Sequence, residues 1–177
     1  GHNSIGRKGT YAEYGPAWAQ AGMTPFRLYK GFLAEGGIRS PLIVSGPGVQ
    51  GAGKINREAV LHVTDIAPTI LNMAGIQHPS TFKGRKIAPM QGKSWAGMLA
   101  GKTQSPRTSD DWLGWELFGN RAIRQGDWKI TWLHKPFGTW DWQLFNLAND
   151  PGEQYDLSSK FPKKRRNLIA LWDEYEK

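Results

Sequence analysis

At 177 residues the chain has room for one domain, or for one and a part. Hydrophobic residues make up 39% and charged residues 21%, ordinary for a globular chain, and no apolar run approaches membrane-spanning length. The chain has no cysteine, which excludes disulfides, thiolate metal sites and a cysteine nucleophile within it, and its formal net charge of +8 is mostly dispersed.

Residues 1–25 are rich in Gly, Tyr and Trp and lack sustained periodicity, so they read as a long loop. Gly1-His2 fits an expression scar, which makes the N-terminus a cut inside a longer chain. On that reading the missing signal peptide is silent on compartment, and the periplasm and cytoplasm both stay open. Next comes Tyr29-Lys30-Gly31-Phe32-Leu33-Ala34-Glu35-Gly36-Gly37, directly before an apolar run. The glycines permit close approach of backbone to a bound group. A lysine held there is a compact cation suited to a tetrahedral oxyanion. An ordinary surface lysine beside glycine fits the same pattern, and both readings stay open on these residues alone.

Leu42-Ile43-Val44, bounded by Pro41 and Gly46-Pro47-Gly48, reads as a buried strand of a mostly parallel sheet. Gly51 to Arg57 is a polar, Gly-rich loop. Thr64 to Gly75 is the clearest helix. Thr64 or Asp65 caps it, Pro68 sits in its first turn, Ile66, Ile70 and Ala74 share a face, and Gly75 ends it. His62, just upstream, is assigned packing or capping in preference to catalysis. Residues 78–110 are loop-rich, with a short helix from Ser94 to Leu99.

Beyond Ser105–Ser109 the pattern changes. Trp112–Phe118, Arg121–Arg124, Trp128–Leu133 and Trp142–Leu147 read as four strands joined by turn residues, hence an antiparallel meander. Trp128, Ile130 and Trp132 fall on one face of the third, Lys129 and Thr131 on the other. Six of the nine tryptophans lie between Trp95 and Trp140, as expected for a sheet face packed on something large. A sugar-stacking platform is the functional alternative. A last helix begins near Pro162 with the apolar stripe Leu168, Leu171, Trp172 and Tyr175. Lys163-Lys164-Arg165-Arg166, the one dense basic run, reads as a solvated helix face, and no nucleic-acid-binding signature accompanies it.

The Thr24–Lys30 segment, followed by Glu35-Gly36-Gly37-Ile38-Arg39-Ser40-Pro41-Leu42-Ile43-Val44, resembles the sulfatase family of the alkaline-phosphatase superfamily, and bacterial arylsulfatases most of all. Asp65-Ile66-Ala67-Pro68-Thr69 resembles that family's Asp-x-x-Pro-Thr helix. Arg121–Lys129 resembles its C-terminal hairpin, and Gln143–Glu153 its closing strand and turn. The resemblance implies an α+β chain: residues 1–108 as the remainder of an α/β catalytic domain, and 109–177 as a four-stranded antiparallel sheet packed by a C-terminal helix. It assigns Lys30 to catalysis and substrate binding, through contact with the substrate sulfate. It also implies calcium and a formylglycine in a longer parent that hydrolyses sulfate esters to an alcohol or phenol plus sulfate. The nucleophile motif, Cys or Ser-x-Pro-x-Arg, is absent, because Ser105-Pro106-Arg107 has the wrong spacing. Asp110-Asp111 and Asn149-Asp150 mimic the family's calcium ligands but read as structural. The chain alone is therefore expected to be inactive and to bind no metal, nucleic acid or membrane. It is also expected to self-associate through exposed apolar strand faces. Alternatives are a phosphoesterase of the same superfamily and a non-enzymatic glycan- or protein-binding module.

Overall fold

The structure, a computed structural model, describes residues 4–10, 13, 15–51 and 53–177. Gly1-His2, read above as a scar, lies outside the described residues. The chain is α+β and divides into two compact units, Gly1–Ser40 with Trp112–Lys177, and Pro41–Asp111. This grouping differs from the 1–108 and 109–177 division expected from sequence, because residues 27–38 pack on the C-terminal sheet.

In the first unit, the stretch read as loop contains helix α1, Gly15–Met23. None of its residues is buried and Trp18 is exposed, so no apolar periodicity marks it. Ala17, Ala19 and Ala21 favour helix by propensity, and Pro16 suits the first turn. Helix α2 is one turn, Glu35–Ile38.

The sheet forms as its turn chemistry requires. Strands β3 (Trp112–Leu117), β4 (Asn120–Gln125), β5 (Trp128–Trp132) and β6 (Gln143–Asn146) pair antiparallel in sequence order. Two residues, Phe118 and Gly119, link β3 to β4, both with positive φ (53° and 76°), the hand that matches strand twist. Gly126, at φ 57°, opens the β4–β5 turn. Ile123, Ile130 and Leu144 are cross-strand partners on one face. They bury against Leu168 and Trp172 of helix α5, Pro162–Tyr175. Each fully buried aliphatic side chain of this kind is worth about 1.5–3 kcal/mol. Tyr175, at the far end of the stripe, packs over Gly114, where a Cβ would stand 2.6 Å from the ring. The opposite face carries Ala122, Lys129, Thr131 and Phe145, all fully or almost fully buried. Leu28, Leu33 and Ala34 close over its Ala122–Leu133 end.

In the second unit, a 3₁₀ turn at Val63–Asp65 leads into helix α3, Ile66–Met73, whose C-cap Ala74 is followed by Gly75 with φ 68°. His62 caps this start: its Nδ1 accepts from the Thr64 amide at 3.4 Å, and its own amide donates to Asp65 Oδ2 at 2.8 Å. The expected apolar face is not the buried one. Ile66 and Ile70 are exposed, and Thr69 is buried instead. Helix α4, Ala96–Leu99, follows the β1 (Thr81–Phe82) and β2 (Arg85–Lys86) hairpin. Leu42-Ile43-Val44, expected as a buried strand, forms no strand and is exposed, Ile43 at 93%. No described segment pairs with it, and an isolated extended run has no ladder to join.

Candidate functional site

Lys30 occupies the apex of a closed loop. The loop ends meet where the Gly36 amide donates to the Arg27 carbonyl at 2.9 Å. At the tip, Phe32 N donates to the Tyr29 carbonyl at 3.1 Å. This makes a turn with Lys30 and Gly31 at its centre, and Gly31 takes φ 101°, which the third position of a type II turn demands. Lys30 is exposed. Tyr29 packs edge-on to Phe32 at 5.2 Å, and Phe32 packs on Phe137 of the β5–β6 loop at 4.6 Å. Arg27 donates to the carbonyls of Glu153 (3.4 Å) and Phe137. The base of the loop is thus tied to the sheet while the tip stays open.

The double glycine fits backbone against backbone. A Cβ on Gly36 would fall 2.0 Å from the Leu28 carbonyl oxygen, and one on Gly37 would fall 2.0 Å from that of Phe32. Close packing, not a bound group, accounts for both glycines.

Beneath the loop lies an ionic cluster that sequence reasoning missed. Lys129 Nζ, fully buried on β5, donates to Glu35 Oε1 at 2.9 Å. It also stands 2.9 Å from Glu153 Oε1, an ion-pair contact that lacks hydrogen-bond alignment. Glu153 Oε2 accepts the Glu35 amide at 2.7 Å. Arg124 and Arg39 approach Glu35 Oε2 at 3.9 and 3.8 Å. Burial lowers the Arg124 pKa, opposed by the charge of Glu35. The only trace of this in sequence is Lys129 alternating with apolar residues on a strand, which reads equally as a solvated face.

The Asp-x-x-Pro-Thr segment is a second structural knot. Asp65 is fully buried and paired in bidentate fashion with Arg107, Nη1 to Oδ2 at 2.5 Å and Nη2 to Oδ1 at 2.7 Å. The amides of His62 and Lys93 complete its shell, each at 2.8 Å. Burial raises the Asp65 pKa, but these hydrogen bonds and the guanidinium charge outweigh it, and the net shift is downward. Thr69 Oγ1 donates to the Asp65 carbonyl at 2.6 Å and accepts from the Trp95 amide at 3.0 Å. Burial also lowers the His62 pKa, opposed by Asp65.

The remaining mimics are likewise occupied. Ser105 Oγ accepts from the Arg107 amide at 3.1 Å. Asp111 pairs with Lys93 and accepts from the Thr108 amide; the Lys93 hydrogen bond leads in lowering its pKa. Asp150 accepts the amides of Gln154 and Tyr155 in a turn. Among the described residues no three His, Cys, Asp or Glu side chains gather as metal ligands would.

The family described as N-sulphoglucosamine sulphohydrolase, C-terminal, matches residues 26–170, and the chain belongs to it. An uncharacterized sulfatase of Schizosaccharomyces pombe is 41% identical over 175 residues, 98% of this chain and 31% of that protein. An arylsulfatase of Klebsiella aerogenes is 36% identical over 107 residues, 60% of this chain and 23% of its own length. The sulfatase likeness therefore extends to a fungal protein as well as to bacterial ones. The crystal structure of Ps i-CgsB shares the fold, with a TM-score of 0.67 at 23% identity over 86% of this chain and 32% of that one. The chain thus spans a third or less of the length of these relatives.

Proposed function

We propose that these 177 residues are the C-terminal part of a sulfuric ester hydrolase, in which Lys30 contacts the substrate sulfate. Membership of the family and sulfatase relatives support the reaction class. The observation that carries the role of Lys30 is its position. It is the exposed apex of a loop whose base is locked by buried ion pairs, and it makes no hydrogen bond or ion pair to a described residue. An ammonium carried on an anchored loop and not neutralised suits charge that develops on a sulfuryl or leaving oxygen. Arylsulfatase activity is the finer form of the proposal, drawn from the Klebsiella aerogenes relative.

The residues present do not fit calcium. Asp65 is saturated by Arg107 and two amides, and Asp111 by Lys93 and the Thr108 amide. The described residues offer calcium no set of ligands, and the formylglycine motif has no counterpart in this sequence. The nucleophile and any metal ligands are assigned to residues outside these 177, which makes the chain by itself inactive. The test is Lys30→Ala in the longer protein, assayed on 4-nitrophenyl sulfate. Turnover falls by about 10²–10³-fold while the melting temperature holds. Unchanged turnover would reject the role of Lys30.

A further inference from the structure

One residue from the far end of the chain fastens both stems of the Lys30 loop. Glu153 Oε2 accepts the Glu35 amide at 2.7 Å, on the stem that leaves the tip. The Glu153 carbonyl accepts from Arg27 Nη1 at 3.4 Å, on the stem that approaches it. Next to it, Gly152 lies so near the incoming chain that a Cβ would stand 3.1 Å from the Pro25 carbonyl oxygen. Lys30 is carried between these two fastenings.

The backbone of residue 153 is held for this arrangement. Its φ is 53°, in the left-handed region that a glutamate rarely adopts, and it is 2% exposed. Such strain persists where surrounding structure enforces it. The enforcing turn is local. The Glu153 amide donates to the Asp150 carbonyl at 3.2 Å, and the Asp150 carboxylate accepts the amides of Gln154 and Tyr155. The turn is thus tied by its own residues and presents Glu153 to the loop.

Charge balance alone does not account for the carboxylate. Lys129 has a hydrogen-bonded partner in Glu35, whereas Glu153 Oε1 meets Lys129 without hydrogen-bond alignment. The directed bond of Glu153 goes to backbone instead. It reaches the first residue of α2, whose N-cap Ala34 makes no side-chain cap. A buried carboxylate on an amide is a strong tether. Its removal leaves the Glu35 amide without that acceptor and the stem free to shift. A displacement of about 1 Å at a reacting group costs up to about 10²-fold in rate.

We propose that Glu153 is a positioning residue for sulfate-ester hydrolysis, acting through the loop to hold the Lys30 ammonium at the reacting sulfate. The inference rests on the role given to Lys30 above and adds to it the group that aims the lysine.

The test is a double-mutant cycle between residues 153 and 30 in the longer protein, with kcat and KM for 4-nitrophenyl sulfate taken per folded molecule. Glu153→Gly removes the carboxylate, adopts the left-handed φ without strain and keeps the carbonyl for Arg27. It lowers kcat about tenfold and moves KM less than about twofold. Glu153→Gln keeps an oxygen for the Glu35 amide and restores most of kcat. In the Lys30→Ala background Glu153→Gly lowers kcat no further, because the lysine it positions is gone. A glutamate with a merely structural role lowers both backgrounds by the same factor. Should Glu153→Gly fail to fold, Arg27→Gln cuts the other fastening and enters the same cycle with the same expectation. Equal factors in the two backgrounds, or unchanged kcat in the folded variant, overturn the proposal while the role of Lys30 stands. Unchanged kcat in Lys30→Ala rejects the role of Lys30 and this proposal with it.

Discussion

Lys129 and Glu35 lie 94 residues apart in sequence, yet their side chains meet at 2.9 Å with almost no exposure to water. The lysine neutralises two buried carboxylates, since Glu153 stands at the same distance. Such a cluster costs desolvation to build and more to break.

Replacing Lys129 with Met leaves Glu35 and Glu153 facing each other without their shared cation. The expected loss is about 3–5 kcal/mol of unfolding free energy. The triple change Lys129→Met, Glu35→Gln, Glu153→Gln recovers much of it, because neither buried carboxylate charge remains. Urea unfolding of both variants checks this; equal stability of the single variant and the parent would contradict it.

Gly36→Ala forces a methyl carbon to 2.0 Å from the Leu28 carbonyl oxygen, where backbone must move. The expected cost is about 1–3 kcal/mol or more. Hydrogen exchange locates it: amides of residues 27–38 lose protection first.

Asp65 has a pKa lowered from the ordinary 3.8. A depressed carboxylate stabilises the fold above its unfolded pKa, and that contribution drains away as pH falls through the folded value. Stability of the parent chain therefore drops below about pH 4. Asp65→Asn shows a shallower acid limb and lower stability at pH 7. Parallel slopes for the two proteins between pH 7 and pH 2 would remove Asp65 as the cause.

Leu168 is fully buried between α5 and the sheet. Leu168→Ala should cost about 2–5 kcal/mol, the usual range for a core leucine. Exposed Ile43 provides the contrast, since Ile43→Ala should leave the melting temperature of this chain nearly unchanged.

The C-terminal sheet and helix were legible because their determinants are local. Turn residues at 119–120 and 125–127 and period-two alternation at 128–132 define the strands, and Leu168 and Trp172 share a face at helical spacing. Helix α1 was missed because it buries nothing, so only weak alanine propensity marks it. The run Leu42–Val44 has strand composition but no partner among the described residues, and composition cannot supply a ladder. Ile66 and Ile70 misled in the same way, since the buried side of α3 is chosen by the Asp65–Arg107 pair and the Thr69 hydroxyl. The resemblance singled out Lys30 but not Glu35, Lys129 and Glu153, whose association spans most of the chain.

The loop that presents Lys30 belongs to the first 40 residues, yet its anchor is a side chain on β5. During synthesis this segment emerges before β5 and waits for the strand that neutralises Glu35. The early part of the chain thus acquires its final shape only after the late part exists, and a truncation anywhere before Lys129 leaves the Lys30 loop without its clasp.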